Sequence, residues 1–220
     1  MDKKSDYIYF QEEISKRGIE FLIHFTPTIN LYSILEQGKL MSRKTLENLD
    51  IEQFDILDYA QFTDNVRCDD KGFINLSISG PNTFLFSKFQ ERTKDDMTID
   101  WCILKIDPKY IYEKETKFSV TNAASNVAKA IGVTGDLDKF KMLFANSINI
   151  PYGIRGKINS KYPTNVQAEV LVKKDIPVES IIEVCFNSIE SFASAKAALS
   201  EFDTSNFVVD MEIFSPNRRL

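Results

Sequence analysis

Tyr162-Pro163-Thr164-Asn165-Val166-Gln167-Ala168-Glu169-Val170-Leu171-Val172 leads a polar loop into an apolar strand that carries one carboxylate near its start. From Ala168 to Val172 the residues are aliphatic and β-branched, bounded upstream by Pro163 and downstream by Asp175 and Pro177. That is the pattern of a short buried strand. Side chains alternate along a strand, so Gln167 and Glu169 are expected on one face and Ala168 and Val170 on the other. A carboxylate and an amide then face one cleft together.

Working outward, 220 residues with 43% hydrophobic content suffice for one sizeable core. The net charge of -5 leaves no global basic footprint, so nucleic-acid binding requires a local patch. Cys68, Cys102 and Cys185 are widely spaced and form no Cys-x-x-Cys pair, which suits a reducing compartment better than disulfides or zinc. With one histidine besides, three convergent metal ligands are not expected, and no metal is assigned. The start, Met1-Asp2-Lys3-Lys4-Ser5-Asp6, does not read as a signal peptide, and no apolar run approaches the ~18 residues of a membrane span. A soluble cytoplasmic protein without a membrane partner is the expectation.

Immediately before the strand, residues 150 to 165 contain Arg155, Lys157 and Lys161 and no acid, with Tyr152 and Tyr162 interleaved. Gly153, Gly156 and the prolines exclude a regular helix. In an acidic chain, such a loop suits a single nucleic-acid strand, its cations on phosphates and its tyrosines against bases. An ordinary surface loop has the same composition.

At the other end of the chain, apolar spacing predicts a helix over residues 7 to 17, closed by Gly18, then a buried strand at Phe21-Leu22-Ile23-His24-Phe25. Thr28 is the N-cap candidate of a helix from Ile29 to Leu35 that ends near Gly38. His24, the only histidine, reads either as a core residue satisfied locally or as a neutral imidazole bonding a ligand hydroxyl beside Thr26. Between Ser42 and Gly72 the chain is polar and acidic, and its two arginines, Arg43 and Arg67, read on residue type alone as solvated or salt-bridged surface residues. Further strands are expected at residues 73 to 79, 101 to 106, 181 to 186 and 207 to 209. Helices are expected from residue 83, at 121 to 131, 137 to 145 and 191 to 199, and a capped turn at 107 to 111. Mixed strands and short helices without regular βαβ alternation indicate an α+β protein, and the absence of repeats favours one domain over residues 1 to 220.

Phe21 to Leu40, with its His24-Phe25-Thr26 turn and the run Asn30-Leu31-Tyr32-Ser33-Ile34-Leu35-Glu36-Gln37-Gly38-Lys39-Leu40, resembles the opening of the DarT family. These are nucleic-acid ADP-ribosyltransferases, the toxins of DarT/DarG toxin-antitoxin systems. The likeness continues through Asp64-Asn65-Val66-Arg67-Cys68-Asp69, Asn75-Leu76-Ser77-Ile78-Ser79-Gly80-Pro81-Asn82, Trp101-Cys102-Ile103-Leu104 and Thr121-Asn122-Ala123-Ala124-Ser125. It closes on Tyr162-Pro163-Thr164, Gln167 to Val172 and Ile176-Pro177. Its details are closer to the guanine-modifying branch than to the thymine-modifying one. The overall acidity and residues 43 to 63 depart from the family pattern.

The resemblance implies an ADP-ribosyltransferase-like fold in which two facing β-sheets form a split that grips NAD, the ADP-ribose donor. His24, Phe25, Thr26 and Asn30 would hold the cofactor, Arg67 would lie over its phosphates and assist proton removal, and Glu169 would be the catalytic glutamate. Arg43 is a second candidate for the phosphate role. The loop from Ile150 to Gln167 would recognise the acceptor through Tyr152, Arg155, Lys157, Lys161, Tyr162 and Gln167. The implied activity is mono-ADP-ribosylation of a base in single-stranded DNA by a toxin or phage-defence enzyme, with RNA as alternative acceptor. A neutralising partner, a macrodomain ADP-ribosyl hydrolase, would accompany it. The reading from a different class is a non-catalytic module that binds a nucleotide or a partner in the same cleft.

Overall fold

The computed structural model describes residues 1–51, 71–96, 98–146 and 154–219. Arg67, Cys68 and Tyr152 lie outside them. The helices are α1 (Tyr7–Arg17), α2 (Asn30–Glu36), α3 (Arg43–Asn48), α4 (Thr83–Thr93), α5 (Asn126–Ile131), α6 (Leu137–Met142) and α7 (Ile189–Ala198). The strands are β1 (Leu22–Pro27), β2 (Lys39–Leu40), β3 (Ile74–Ile78), β4 (Trp101–Ile106), β5 (Lys117–Ser119), β6 (Glu169–Val172), β7 (Ile176–Pro177), β8 (Ile181–Phe186) and β9 (Phe207–Val209).

Seven strands form one mixed sheet in the order β5-β6-β3-β1-β4-β8-β9, and β2 pairs with β7 apart from it. Alternation along β1 divides the interior. Leu22 joins the larger core with Leu76, Leu104, Val170 and Phe118, which α1 and α6 cover through Phe10 and Phe140. The Phe10 and Phe118 ring centroids are 5.9 Å apart and those of Phe118 and Phe140 5.2 Å. Truncating a buried phenylalanine such as Phe10 costs about 3–5 kcal/mol. On the opposite face, Ile23 packs with Phe86, Phe89, Trp101 and Ile103 under α4. The Trp101 indole N–H is satisfied there by the Thr93 hydroxyl at 3.1 Å.

The central strand is held unequally by its two neighbours. β1 pairs with β4 along its whole length, from Leu22↔Ile106 to Pro27↔Trp101. With β3 it pairs only at Leu22↔Ile78 and Ile23↔Ser77, so from His24 onward the two halves of the sheet part. The two facing sheets expected from the resemblance are thus two halves of one sheet, joined at the start of β1 and open beyond it.

Several local expectations change. Thr28 does not cap α2: the cap position is Ile29, with no side-chain cap bond. The helix expected over residues 121 to 131 begins only at Asn126, because the Ser125 hydroxyl accepts from the Ala128 N–H and fixes the start there. The helix expected to reach Ala145 stops at Met142. Strand β6 starts at Glu169, and Gln167 lies before it in a turn where its N–H donates to Asn165 Oδ1 at 2.9 Å. Strand alternation therefore does not place Gln167 beside Glu169. β2 and β5 are not legible as elements, being too short to build a periodic pattern.

Candidate active site

Where β1 and β3 separate, backbone groups that would have paired need other partners. The Asn75 carbonyl finds His24 Nδ1 at 3.2 Å. A carbonyl only accepts, so Nδ1 carries the proton and Nε2 of the neutral ring is an acceptor. Burial lowers the His24 pKa below its ordinary 6.5, and the Asn75 hydrogen bond opposes that shift. The imidazole is thereby held neutral near pH 7, as a bridge across the mouth of the parting. A ligand hydroxyl or amide is the natural donor to its Nε2.

Two residues along, the buried Thr26 hydroxyl accepts from Asn30 Nδ2 at 3.0 Å. This bond ties the end of β1 to the first turn of α2. It leaves the Thr26 hydroxyl proton for a further acceptor. Phe25 points to the other face, where its ring lies 4.7 Å from Phe86 and 6.1 Å from Trp101. The structure therefore groups His24, Thr26 and Asn30 and puts Phe25 in the aromatic packing behind them.

Glu169 opens β6 and is only 8% exposed. Its Oε2 accepts the Ala123 backbone N–H at 2.8 Å. That amide is set by the turn before α5: the Asn122 side chain accepts from the Ala124 N–H at 2.9 Å, and Ser119 Oγ donates to the Thr121 carbonyl at 2.6 Å. Ser119 is itself the register partner of Glu169 across β5 and β6. On the other side, Asn75 pairs with Leu171 and Leu76 with Val170, so the register carried on one residue puts Glu169 level with Ser77. Ser77 pairs with Ile23, the last residue before the strands part. By alternation His24 and Thr26 leave β1 on the face of Leu22, whereas Glu169 leaves β6 on the face of Leu171. Across the parting, the His24 ring reaches the Asn75 carbonyl, two residues along β3 from Ser77.

The acceptor-side candidates are arranged differently. Arg155 turns inward on its own loop, donating to the carbonyls of Tyr162 at 2.5 Å, Asn159 at 3.2 Å and Ser160 at 3.3 Å. Burial, with Arg17 nearby, lowers its pKa. Tyr162 is buried to 6% exposure against Gly80, where an added Cβ would stand 3.0 Å from its ring. Lys157 is exposed, and Lys161 lays its ammonium 5.5 Å from the Tyr162 ring centroid. Lys157 and Lys161 thus present charge, while Arg155 and Tyr162 build the loop. The Ala123 amide, the Asn75 carbonyl and Asn122 escaped sequence reasoning. Of these only Asn122 carried a signal, an asparagine two residues before a chain amide at a turn.

Elsewhere, Glu183, Cys185 and Asp210 bring their ligand atoms within 4.8 Å of one another. Lys105 Nζ stands among them, 2.7 Å from Glu183 and 2.8 Å from Asp210, so an ammonium already supplies the cation. Among the described residues no helix is long and apolar enough to cross a membrane.

Solved structures share this fold. Thermus sp. 2.9 DarT in complex with carba-NAD+ superposes with a TM-score of 0.56 at 16% identity, covering 87% of this chain and 95% of that one. The same protein in complex with ADP-ribosylated ssDNA gives 0.55 at 14% identity, covering 89% and 96%. Thermosipho africanus DarTG in complex with ADP-ribose gives 0.59 at 17% identity, covering 91% of this chain and 52% of that one. These likenesses establish the ADP-ribosyltransferase fold. No curated protein matches the sequence. The family model described as "ssDNA thymidine ADP-ribosyltransferase, DarT" matches residues 23–214, from the strand that bears His24 past the one that bears Glu169. The chain therefore belongs to the DarT family.

Proposed function

We propose that this protein transfers ADP-ribose from NAD to a base of single-stranded DNA, with Glu169 as the catalytic carboxylate. The observation that carries the assignment is that carboxylate: buried at the start of β6, fixed by a backbone amide, and level with the point where the sheet parts. Family membership supplies the reaction class.

The residues present fit a dinucleotide. His24 offers an acceptor nitrogen, Thr26 a hydroxyl proton, and the parted strands a place to enter. NAD contributes a glycosidic bond whose cleavage releases neutral nicotinamide and leaves positive charge on the ribose. Glu169 stabilises that charge and accepts a hydrogen bond from a ribose hydroxyl, an effect worth ~100-fold or more in rate. His24, Thr26 and Asn30 orient the donor, and Phe25 keeps β1 seated behind them. Arg67, assigned by resemblance, positions the phosphates first and assists loss of the acceptor's proton second, since arginine is a poor base. Tyr152, Arg155, Lys157, Lys161, Tyr162 and Gln167 shape the acceptor side, with Gln167 reading the base edge from the turn before β6. The same reading treats residues 1 to 220 as one transferase domain acting in the cytoplasm.

As an unrestrained DNA-modifying enzyme it acts as a toxin, and a macrodomain hydrolase is the fitting antidote. The family description names thymidine, whereas details of the resemblance favour guanine. Labelled NAD incubated with single-stranded DNA, RNA and protein separates the readings. Label on DNA that disappears in Glu169→Ala is expected, and oligonucleotides with a single thymine or guanine name the base. Label on RNA alone moves the acceptor; label on polypeptide alone, or none, sinks the assignment.

A further inference from the structure

The segment after Phe214 lies beyond the residues that the family model matches, yet it packs on the acceptor loop. Ile158 and Arg219 form an antiparallel bridge, and the Asn159 N–H donates to the Arg218 carbonyl at 2.9 Å. The Arg218 guanidinium then crosses the Tyr162 ring, 5.6 Å from its centroid, and donates through Nη2 to the Pro163 carbonyl. At Gly80 a Cβ would meet Pro216 Cγ and Tyr162 Cε1, each at 3.0 Å, so tail, loop and the end of β3 close on one point.

Arg155 holds the loop from inside through the carbonyls of Asn159, Ser160 and Tyr162, and Arg218 takes the next one, Pro163. Among the described residues neither guanidinium has a carboxylate in an ion pair. Burial and the neighbouring like charge of Arg155 lower the Arg218 pKa, with Tyr162 opposing them. A half-buried cation without an acid partner is costly to keep unless its hydrogen bonds are needed. What those bonds hold is the stretch that ends, six residues after Pro163, at Glu169.

We propose that Arg218 is a positioning residue for the acceptor side of the reaction, holding the 155–165 loop in the form that receives the DNA strand. This rests on the transferase reading above. It does not touch the donor side, which His24, Thr26 and Asn30 build from other elements.

The test is steady-state transfer with wild-type protein and Arg218→Ala, varying oligonucleotide and NAD separately, with thermal melting alongside. Removing a charged hydrogen bond should raise the oligonucleotide KM about tenfold. The KM for NAD should stay within about twofold, because its contacts are elsewhere. An unchanged oligonucleotide KM, or equal rises in both KM values, overturns the proposal. So does a loss confined to melting temperature and active fraction. Should the alanine variant not fold, Arg218→Lys keeps the charge and loses the planar fork. An oligonucleotide KM still raised about threefold supports positioning, and one equal to the parent's overturns it. A wild-type protein that labels no DNA fails the transferase reading; one that labels DNA while Arg218→Ala matches it fails only this inference.

Discussion

Around His24, Thr26 and Glu169 the holding contacts come from neutral groups in or beside strands: the Asn75 carbonyl, the Asn30 amide and the Ala123 N–H. Around residues 155 to 163, beside the backbone bonds to residues 218 and 219, two arginine side chains reach main-chain carbonyls of a loop. The first region is positioned by the sheet, so its geometry is as rigid as the register of β3, β5 and β6. The second depends on long side chains that must be ordered against their own rotamer entropy, about 2 kcal/mol each. Under the proposed assignment a transferase gains from this difference, because the donor is one small molecule while the acceptor is a flexible strand. Pre-organised donors and acceptors stabilise charge as it forms, and an adjustable loop admits a polymer.

The sharpest way to break this comparison is Glu169→Gln. Transfer should fall ~100-fold or more while the melting temperature moves by only a few degrees, since an amide can still accept from Ala123. Activity near wild type would remove the site altogether. Next comes Asn122, which shapes the turn that presents the Ala123 amide. Asn122→Ala should lower kcat about tenfold, and Asn122→Asp, which keeps the acceptor, should restore most of it. Failure of aspartate to rescue would mean that the turn does not orient the carboxylate.

Arg155→Ala tests the other region. It should raise the oligonucleotide KM about fivefold and leave the NAD KM alone; a matching rise for NAD would show that the two regions are not separable. The smallest effect is on pH dependence. With its folded pKa below 6.5, His24 resists a proton that the unfolded chain accepts. Stability should therefore be full above pH 6.5 and decline as pH falls below it toward the folded pKa. Urea midpoints at about pH 7.5 and pH 5.5 should differ more for the wild type than for His24→Asn. Equal differences would show that the ring is not held neutral by the fold.

Much of the architecture was legible because it is local. Alternation and apolar runs marked β4 and β9 with their observed bounds, and 3.6-residue spacing closed by a glycine marked α1. Gly18 indeed takes the left-handed cap conformation, φ 70°. Glu169 was legible as a lone acid inside an apolar strand, and its burial at 8% follows from that strand's place in the sheet. The start of α5 was misread because helix propensity continues through Ala123 and Ala124, whereas Ser125 caps one residue later and Asn122 claims the turn. Residues 155 to 162 announced a basic loop but not that Arg155 would turn inward.

By itself the chain's order of residues determined most of the strands and helices and singled out one acid, one imidazole and one basic loop as candidates, because propensity and periodicity act over a few neighbours. Only the tertiary structure decided that β1 leaves β3 after Ile23 and that the Ala123 amide meets Glu169 from 46 residues away in sequence. It also decided that Arg218 reaches Pro163. Such contacts depend on how strands twist and pack together, and no pattern confined to one segment encodes a hydrogen bond whose partner lies in another.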